Sequence, residues 1–284
     1  MGQVAIAVVV MTGLGLFFAA VLALAYRFLR VEEDPRLEVV EELLPGNNCG
    51  ACGEPGCAAF AGRLVGGDVE PGGCTVAGAD SLAEIAAFLG VDVGGEERRI
   101  ARLKCAGGRL HARRLGDYRG AGSCRAAVVV DGGALACSWG CLGLGDCERA
   151  CSFDAIRMNQ EDLPLVLPEP CTACGDCVDV CPQDLFVLLP ESHHLFVQCN
   201  SPLAGEDAIA CCTVACDACG RCALDAPPDT VEMRNGLPIV HYDREQRPTP
   251  QATWRCPTGA IQWVEGQQFA EADEDEAPAG RVYG

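Results

Sequence analysis

Cys171-Thr172-Ala173-Cys174-Gly175-Asp176-Cys177-Val178-Asp179-Val180-Cys181-Pro182 is the stretch whose reading decides the fold. Its first three cysteines, each separated from the next by two residues, put three thiolates on one tight loop. The short helix after them carries the fourth cysteine away, and Pro182 ends that helix. In this Cys-x2-Cys-x2-Cys-x3-Cys-Pro run the fourth cysteine ligates a neighbouring [4Fe–4S] cluster. The partner half lies upstream as Cys137-x3-Cys141-x5-Cys147-x3-Cys151. By the crossover, one cluster takes Cys171, Cys174, Cys177 and Cys151. The other takes Cys141, Cys147, Cys181 and one more thiolate. Its middle cysteine would fall at Leu144, so Cys137 is assigned as the substitute, with Cys124 as the alternative.

Working outward, the pattern repeats at an offset of 75 residues. Cys124, Cys137, Cys141, Cys147, Cys181 and Pro182 map onto Cys199, Cys212, Cys216, Cys222, Cys256 and Pro257. The second copy keeps Cys216, Cys219, Cys222 and Cys256, a full set for one cluster. Ala226, Gln246, Thr249 and Ala252 stand where Cys151, Cys171, Cys174 and Cys177 stood. All four losses belong to one cluster, which predicts a ferredoxin-like unit reduced to a single site.

Nearer the N-terminus comes Leu44-Pro45-Gly46-Asn47-Asn48-Cys49-Gly50-Ala51-Cys52-Gly53-Glu54-Pro55-Gly56-Cys57, with Cys74 further on. Its Gly-rich backbone can wrap an inorganic core while Cys49, Cys52, Cys57 and Cys74 converge. Four thiolates suit tetrahedral zinc or a [4Fe–4S] cluster, and the downstream runs decide for iron–sulfur. A short helix is expected over residues 58–65, ended by Gly66-Gly67. Ser81-Leu82-Ala83-Glu84 reads as a capping box opening a helix that Gly90 closes.

The chain has 284 residues, 40 acidic and 21 basic, for a net charge of −19. That balance argues against a nucleic-acid binder, which needs a cationic face to displace phosphate counterions. It also predicts lowered cluster potentials, because a cluster gains negative charge on reduction. The 21 cysteines are odd in number and spaced as metal ligands, which argues against a disulfide framework and for a reducing compartment. Aromatics at 6% are too few for a large apolar core.

Residues 2–26 carry no charge, and 4–26 are almost wholly apolar. Twenty-three helical residues rise about 34 Å, enough for a hydrocarbon core of about 30 Å. Arg27 and Arg30 follow at once, so the positive-inside rule puts the N-terminus outside and the body in the cytoplasm. A cleaved signal peptide would need a cationic n-region and a shorter apolar stretch. Glu32, Glu33, Asp34 and Pro35 mark the exit.

Between residues 92 and 119 the charge reverses. Arg98, Arg99, Arg102, Lys104, Arg109, Arg113, Arg114 and Arg119 face only Asp92, Glu96, Glu97 and Asp117. The segment reads as a solvated linker. The alternative is a docking patch, centred on Arg98, Arg99 and Arg102, for an acidic electron carrier or anionic lipid. Residues 126–130 read as a buried strand followed by an Asp131-Gly132-Gly133 turn. Cys105, Cys124, Cys199, Cys211 and Cys212 are left over; buried thiols packing as small hydrophobes account for them, with substitute ligation open for the repeat-related ones. His111, His193, His194 and His241 show no metal-helix spacing. No dinucleotide fingerprint, P-loop or nucleophile–base pairing is present. Glu271, Asp273, Glu274, Asp275 and Glu276 form an acidic tail.

An apolar helix, then the Leu-Pro-Gly-Asn-Asn-Cys-Gly-x-Cys module, then ferredoxin runs: this order resembles the B-subunit family of Rnf ion-translocating ferredoxin:NAD oxidoreductase complexes. The likeness runs from the anchor to about Val264 and is most specific over residues 44–57; Gly140-Cys141-Leu142-Gly143-Leu144-Gly145-Asp146-Cys147 resembles its long-form members. It implies electrons taken from soluble ferredoxin and passed to other membrane subunits that couple transfer to Na⁺ or H⁺ movement, with the body on the cytoplasmic face of a bacterial inner membrane. The third module departs from the family in lacking one cluster.

The expected architecture is a small multi-module α+β iron–sulfur protein. It comprises an anchor (1–30), a small alpha [4Fe–4S] module (31–90), a basic linker and strand segment (91–135), a two-cluster ferredoxin-like domain (136–190), a single-cluster one (191–265) and an acidic tail (266–284). Four clusters and no catalytic site of its own are expected.

Overall fold

The structure, a computed structural model, describes residues 2–29, 34–95 and 97–269. Arg30, Glu32, Glu33, Glu96 and the acidic residues of the tail lie outside the described residues. Helix α1 (Gly2–Leu29) contains an apolar span, Val8–Phe28, of mean hydropathy 2.5, none of it buried against the rest of the chain. A helix of this length satisfies its own backbone groups in lipid, and the Thr12 hydroxyl donates to Val8 O at 2.7 Å.

Helices α2 (Pro35–Leu43), α3 (Cys57–Gly66) and α4 (Ala79–Leu89), with a 3₁₀ turn at Pro71–Gly73, build the first module. Asp34 caps α2 by accepting the Arg36 N–H at 2.9 Å, with Pro35 pre-set for the first turn. Val40, Leu44, Phe60, Leu64 and Ile85 form its core. Gly67 and Gly90 end α3 and α4 in the left-handed conformation, as their positions predicted. The start of α4 differs from the expected capping box. Gly78 is the N-cap, and no side chain caps the helix. Asp80 and Ser81 lie inside the first turn, because the extended backbone at Gly78 already leads the chain into the helix ahead of them.

The second module follows. Strand β1 (Arg99–Leu103) precedes helices α5 (Gly108–His111), α6 (Cys124–Val129) and α7 (Asp146–Ala150). Strands β2 (Ile156–Met158) and β3 (Pro164–Val166) form a hairpin, and helix α8 (Asp176–Val180) leads to strand β4 (Phe186–Pro190). β1 pairs antiparallel with β4, from Arg99 opposite Pro190 to Leu103 opposite Phe186. The basic segment is therefore not a solvated linker, because its strand completes this module's sheet. Ala101, Leu103, Ile156, Leu163, Val166, Leu185 and Phe186 fill the core.

Residues 126–130, expected as a buried strand, lie in and just beyond α6. Only Ala127 is buried; Val129 and Val130 are 81% and 58% exposed. The valine run carried β propensity with no sheet partner to use it, and tertiary context overrides such a preference. The turn at 131–133 is present, with Gly132 and Gly133 left-handed.

The third module comprises strand β5 (Leu195–Val197), helices α9 (Gly205–Cys211) and α10 (Arg221–Asp225), the hairpin of β6 (Val231–Arg234) and β7 (Leu237–Val240), a 3₁₀ turn at Pro250–Thr253, and strand β8 (Ile261–Trp263). β5 pairs antiparallel with β8, placing Val197 opposite Ile261. The repeat thus persists in space. The Lys104 N–H donates to Leu185 O at 2.8 Å in one copy, and the Gln198 N–H to Ala260 O at 2.7 Å in the other. The first copy differs by inserting α5 and its flanking loops between strand and Cys124.

The C-terminal end of the described chain folds back on β1. Gln268 accepts the Leu103 N–H through Oε1 at 2.9 Å and donates through Nε2 to Leu103 O at 2.7 Å, while Arg102 Nη1 donates to Gly266 O at 2.7 Å. Gln268→Ala removes two bonds to one backbone unit, a loss of about 1–3 kcal/mol locally. Native-state hydrogen exchange should show the Leu103 amide exchanging roughly tenfold faster or more, with the β6–β7 amides unchanged.

Candidate metal centres

In the first module, Cys49, Cys52, Cys57 and Cys74 line one pocket of about 340 Å³ together with Leu44, Pro45 and Phe60. Asn48 shapes the loop from a left-handed backbone (φ +48). Its Oδ1 accepts the Cys57 N–H at 2.8 Å, at the start of α3, and its Nδ2 donates to Gly46 O at 3.2 Å. Gly56 must be glycine for this contact, since a Cβ there would come within 2.8 Å of Asn48 Oδ1. Burial pushes the Cys74 thiol up, and the Val76 and Ala77 N–H groups pull it back.

In the second module, Cys151, Cys171, Cys174 and Cys177 surround a pocket of about 320 Å³, the set expected from the crossover. A second pocket, of about 370 Å³, is lined by Cys141, Cys147, Cys181 and Cys124. Cys124, the alternative left open by the sequence, lines this pocket with the other three, and Cys137 does not. The cause is Asp146, whose Oδ2 accepts from Ser123 Oγ at 3.0 Å and from the Arg125 N–H at 3.2 Å. This carboxylate, one residue before Cys147, clamps the start of α6 over the pocket that Leu144 leaves one ligand short. Burial first, then the neighbouring Cys124 and Cys181 sulfurs, push the Cys147 thiol up to about 12. Spacing left Cys124 only as an alternative, because it reaches the pocket from a separate helix, α6.

In the third module, Cys216, Cys219, Cys222 and Cys256 line a pocket of about 300 Å³. The lost set is packed over. Ala252 is fully buried among Leu195, Val231 and Ile261, with Ala226, Tyr242 and Trp263 against them. Tyr242 ties itself there by donating to Leu195 O at 3.1 Å and accepting the Leu195 N–H at 2.7 Å. By the repeat, Trp263 stands where Leu188 lines the corresponding pocket of the second module.

Each of these four pockets therefore presents four sulfurs, apolar walls and a similar volume. Backbone N–H groups two residues on face the sulfurs of Cys141, Cys174, Cys216 and Cys219, from Gly143, Asp176, Ala218 and Arg221. Among the described residues, no three ligating side chains converge tightly enough to hold a single metal ion. Four soft thiol donors with N–H support fit a [4Fe–4S] core, whose potential is tuned by such hydrogen bonds. Burial opposes ionisation of thiols in such pockets, and a cationic core compensates it.

The sites also adjoin one another. Thr75, next to Cys74, donates through Oγ1 to the backbone oxygen of Thr172, next to Cys171, at 2.6 Å. Cys177 lies within electrostatic reach of Cys147. Arg102, solvated in the linker reading and on the surface in the docking alternative, is only 2% exposed, with Nη2 lacking a partner. Burial pushes its ionisation down, while Glu191 and then the Cys171 sulfur favour its charge. Arg98 and Arg99 are exposed and donate to backbone oxygens of Glu169 and Leu188.

The family described as "Putative Fe-S cluster" matches residues 44–76, and the one described as "4Fe-4S dicluster domain" matches residues 137–186. The chain is 37% identical over 247 residues to the B subunit of the Na(+)-translocating ferredoxin:NAD(+) oxidoreductase complex of Acetobacterium woodii, covering 87% of this chain and 74% of that protein. It is 35% identical to the proton-translocating counterpart of Clostridium ljungdahlii, over 98% of this chain and 99% of that one. The B subunit of the ion-translocating oxidoreductase complex of Methanosarcina acetivorans is 33% identical, over 84% and 90%.

Cys124→Ser should lose the cubane of Cys141, Cys147 and Cys181, seen as about four fewer irons per chain and one missing EPR signal, while Asp146→Ala should weaken it. Arg102→Gln should lower the potential of the Cys171 site by tens of millivolts in an EPR-monitored titration. About 1 kcal/mol of lost charge interaction corresponds to roughly 40 mV for one electron.

Proposed function

The chain belongs to the B-subunit family of ion-translocating oxidoreductase complexes, and we propose that it is the membrane-anchored electron relay of such a complex. It takes electrons from reduced ferredoxin and hands them to partner subunits that couple the transfer to Na⁺ or H⁺ movement. Bound [4Fe–4S] cores would supply the one-electron chemistry. The protein's own residues hold and space them: Cys49, Cys52, Cys57 and Cys74; Cys151, Cys171, Cys174 and Cys177; Cys124, Cys141, Cys147 and Cys181; Cys216, Cys219, Cys222 and Cys256. The observation that carries this reading is the set of four-thiol pockets placed in succession along one chain that also bears an apolar span.

Helix α1 anchors the relay beside its partners. Arg27 directly after the uncharged stretch supports a cytoplasmic body. Residues 2–26 hold no carboxylate, histidine, lysine or arginine that could carry an ion, so the ion moves through other subunits. Relatives named for Na⁺ and for protons are alike in their similarity to this chain, as expected if the B subunit sets the electron path and leaves ion choice elsewhere.

Arg109, Arg113 and Arg114 are exposed on the segment that runs from β1 past α5, and they give an acidic carrier a cationic place to meet an otherwise acidic body. Anaerobically purified chain should carry no fewer than about sixteen irons with matching sulfide and bleach on mixing with reduced ferredoxin. Reversing Arg109, Arg113 and Arg114 to Glu should slow that bleaching roughly tenfold or more at low salt, with a flatter salt dependence. Zinc in place of iron, or no electron uptake from ferredoxin, would overturn the relay.

A further inference from the structure

Five cysteines stand outside the four pockets: Cys105, Cys137, Cys199, Cys211 and Cys212. They are not scattered. The segment after β1 threads between the two ferredoxin-like modules and pulls them together. The Ala106 N–H donates to Gln198 O at 3.1 Å, setting Cys105 beside Cys199. Further on, the Arg113 N–H donates to Cys211 O and the Ala136 N–H to Arg113 O, both at 2.9 Å, while Ala112 bridges Cys212. Cys137 and Cys212 are thereby drawn toward the same junction.

Two of the sulfurs flank the backbone there. A Cβ on Gly107 would lie 3.2 Å from Cys212 Sγ and 3.5 Å from Cys105 Sγ, so the backbone passes between two thiols where glycine fits best. Cys137 lies within electrostatic reach of Cys199 and Cys211, and Cys212 within reach of Cys137, Cys199 and Cys211. Cys105, Cys137 and Cys212 are all buried. The sulfur-facing N–H two residues on, seen in the four pockets, recurs here. The Gly107 N–H donates to Cys105 Sγ at 3.4 Å, and the N–H groups of Trp139 and Val214 face Cys137 and Cys212.

The repeat selects four of the five. Cys105 follows the last residue of β1 by two positions, and Cys199 follows the last of β5 by two. The strand ends correspond, since Leu103 pairs with Phe186 and Val197 with Ile261, 75 residues apart. Cys137 and Cys212 correspond through the same offset. Cys199 thus matches Cys105 by its place after the strand and Cys124 by the offset, the inserted α5 segment lying between those two, so each module contributes one cysteine just after its strand and one at the Cys137/Cys212 position. Cys211, which has no counterpart because Ala136 stands at its place, is left over.

We propose that Cys105, Cys137, Cys199 and Cys212 bind a fifth [4Fe–4S] cluster at the pseudo-symmetric junction of the two ferredoxin-like modules. This rests on the relay reading and extends it. Each thiol gives up its proton as its sulfur bonds iron, and the core keeps its own charge. The position fills a gap in the path. Cys105 Sγ accepts the N–H of Cys141, a thiol of the second module's pocket, at 3.4 Å. Cys216, of the third module's pocket, lies within electrostatic reach of Cys199. Cys137 and Cys212 each precede a pocket cysteine by four residues, a reach of at most about 14 Å of chain.

The test is iron and sulfide analysis with native mass spectrometry on the full chain, purified anaerobically and reconstituted with iron and sulfide. Wild type should hold about twenty irons. The Cys199→Ser/Cys212→Ser double variant should hold about sixteen and lose one EPR-detected centre, while Cys211→Ser should keep all twenty. A wild type with sixteen irons, or zinc at the junction beside sixteen irons, overturns the fifth cluster and leaves the four-site relay standing. A count well below sixteen overturns the relay reading itself. The wild-type mass needs no variant to fold, so the proposal is decided even if the double variant does not.

Discussion

Gathering several thiols into one apolar pocket is the constraint on which the rest of this structure depends. Burial opposes the ionised form of each sulfur, and neighbouring sulfurs oppose it further, as at Cys147 and Cys177. Without compensation the pockets would favour neutral thiols. A metal core reverses the balance by supplying positive charge and bonds, so metal binding and folding are one equilibrium. The small size of the elements makes the same point. Helices α7, α8 and α10 are five residues each and several strands only three, far too short to be stable alone. Their apolar clusters are correspondingly small, and cysteines are members of them.

The duplication shows how such a pocket is kept, repaired or abandoned. In the second module Leu144 stands where a middle cysteine is expected, and Cys124, held on α6 by the Asp146 clamp, lines the same pocket. In the third module Cys219 keeps the ordinary spacing, and the offset partner of Cys124, Cys199, is freed for other use. Where a whole ligand set is gone, the space is not left open: Tyr242 and Trp263 pack with Ala226 around Ala252. One fold thus tolerates different outcomes at equivalent places, because each pocket is held by local loops on a short common framework of hairpin, helix and crossing strand.

Much of this was legible in the residues. Cysteine spacing within one loop specifies which sulfurs face one way, so Cys49, Cys52 and Cys57, or Cys171, Cys174 and Cys177, could be grouped from the sequence. The placement of Cys151 beside that second set followed from the crossover pattern. What stayed hidden was contact made across the fold. Nothing near Cys124 in sequence announces that Asp146 will bind Ser123 and Arg125. The role of Arg99–Leu103 as a strand was obscured by its basic composition, and it shows no alternation because four of its five residues are covered. The valines after Ala127 carried a strong propensity that found no sheet edge, and the exposure of Val129 and Val130 shows propensity yielding to position.

Net charge is a poor guide to the potentials along this path. The sequence's −19 suggests uniformly low values, but the influence of acidic side chains that face water fades over a Debye length of about 8–10 Å. Arg102 is different, being one cation held nearly out of solvent near Cys171. Its charge is only partly compensated: Nη1 donates to a backbone oxygen, Nη2 has no partner among the described residues, and Glu191 is the carboxylate that opposes it. A single buried guanidinium therefore weighs more at its site than many surface carboxylates. The potentials along the relay should differ from pocket to pocket accordingly, with local burial and N–H donors setting the slope down which electrons run.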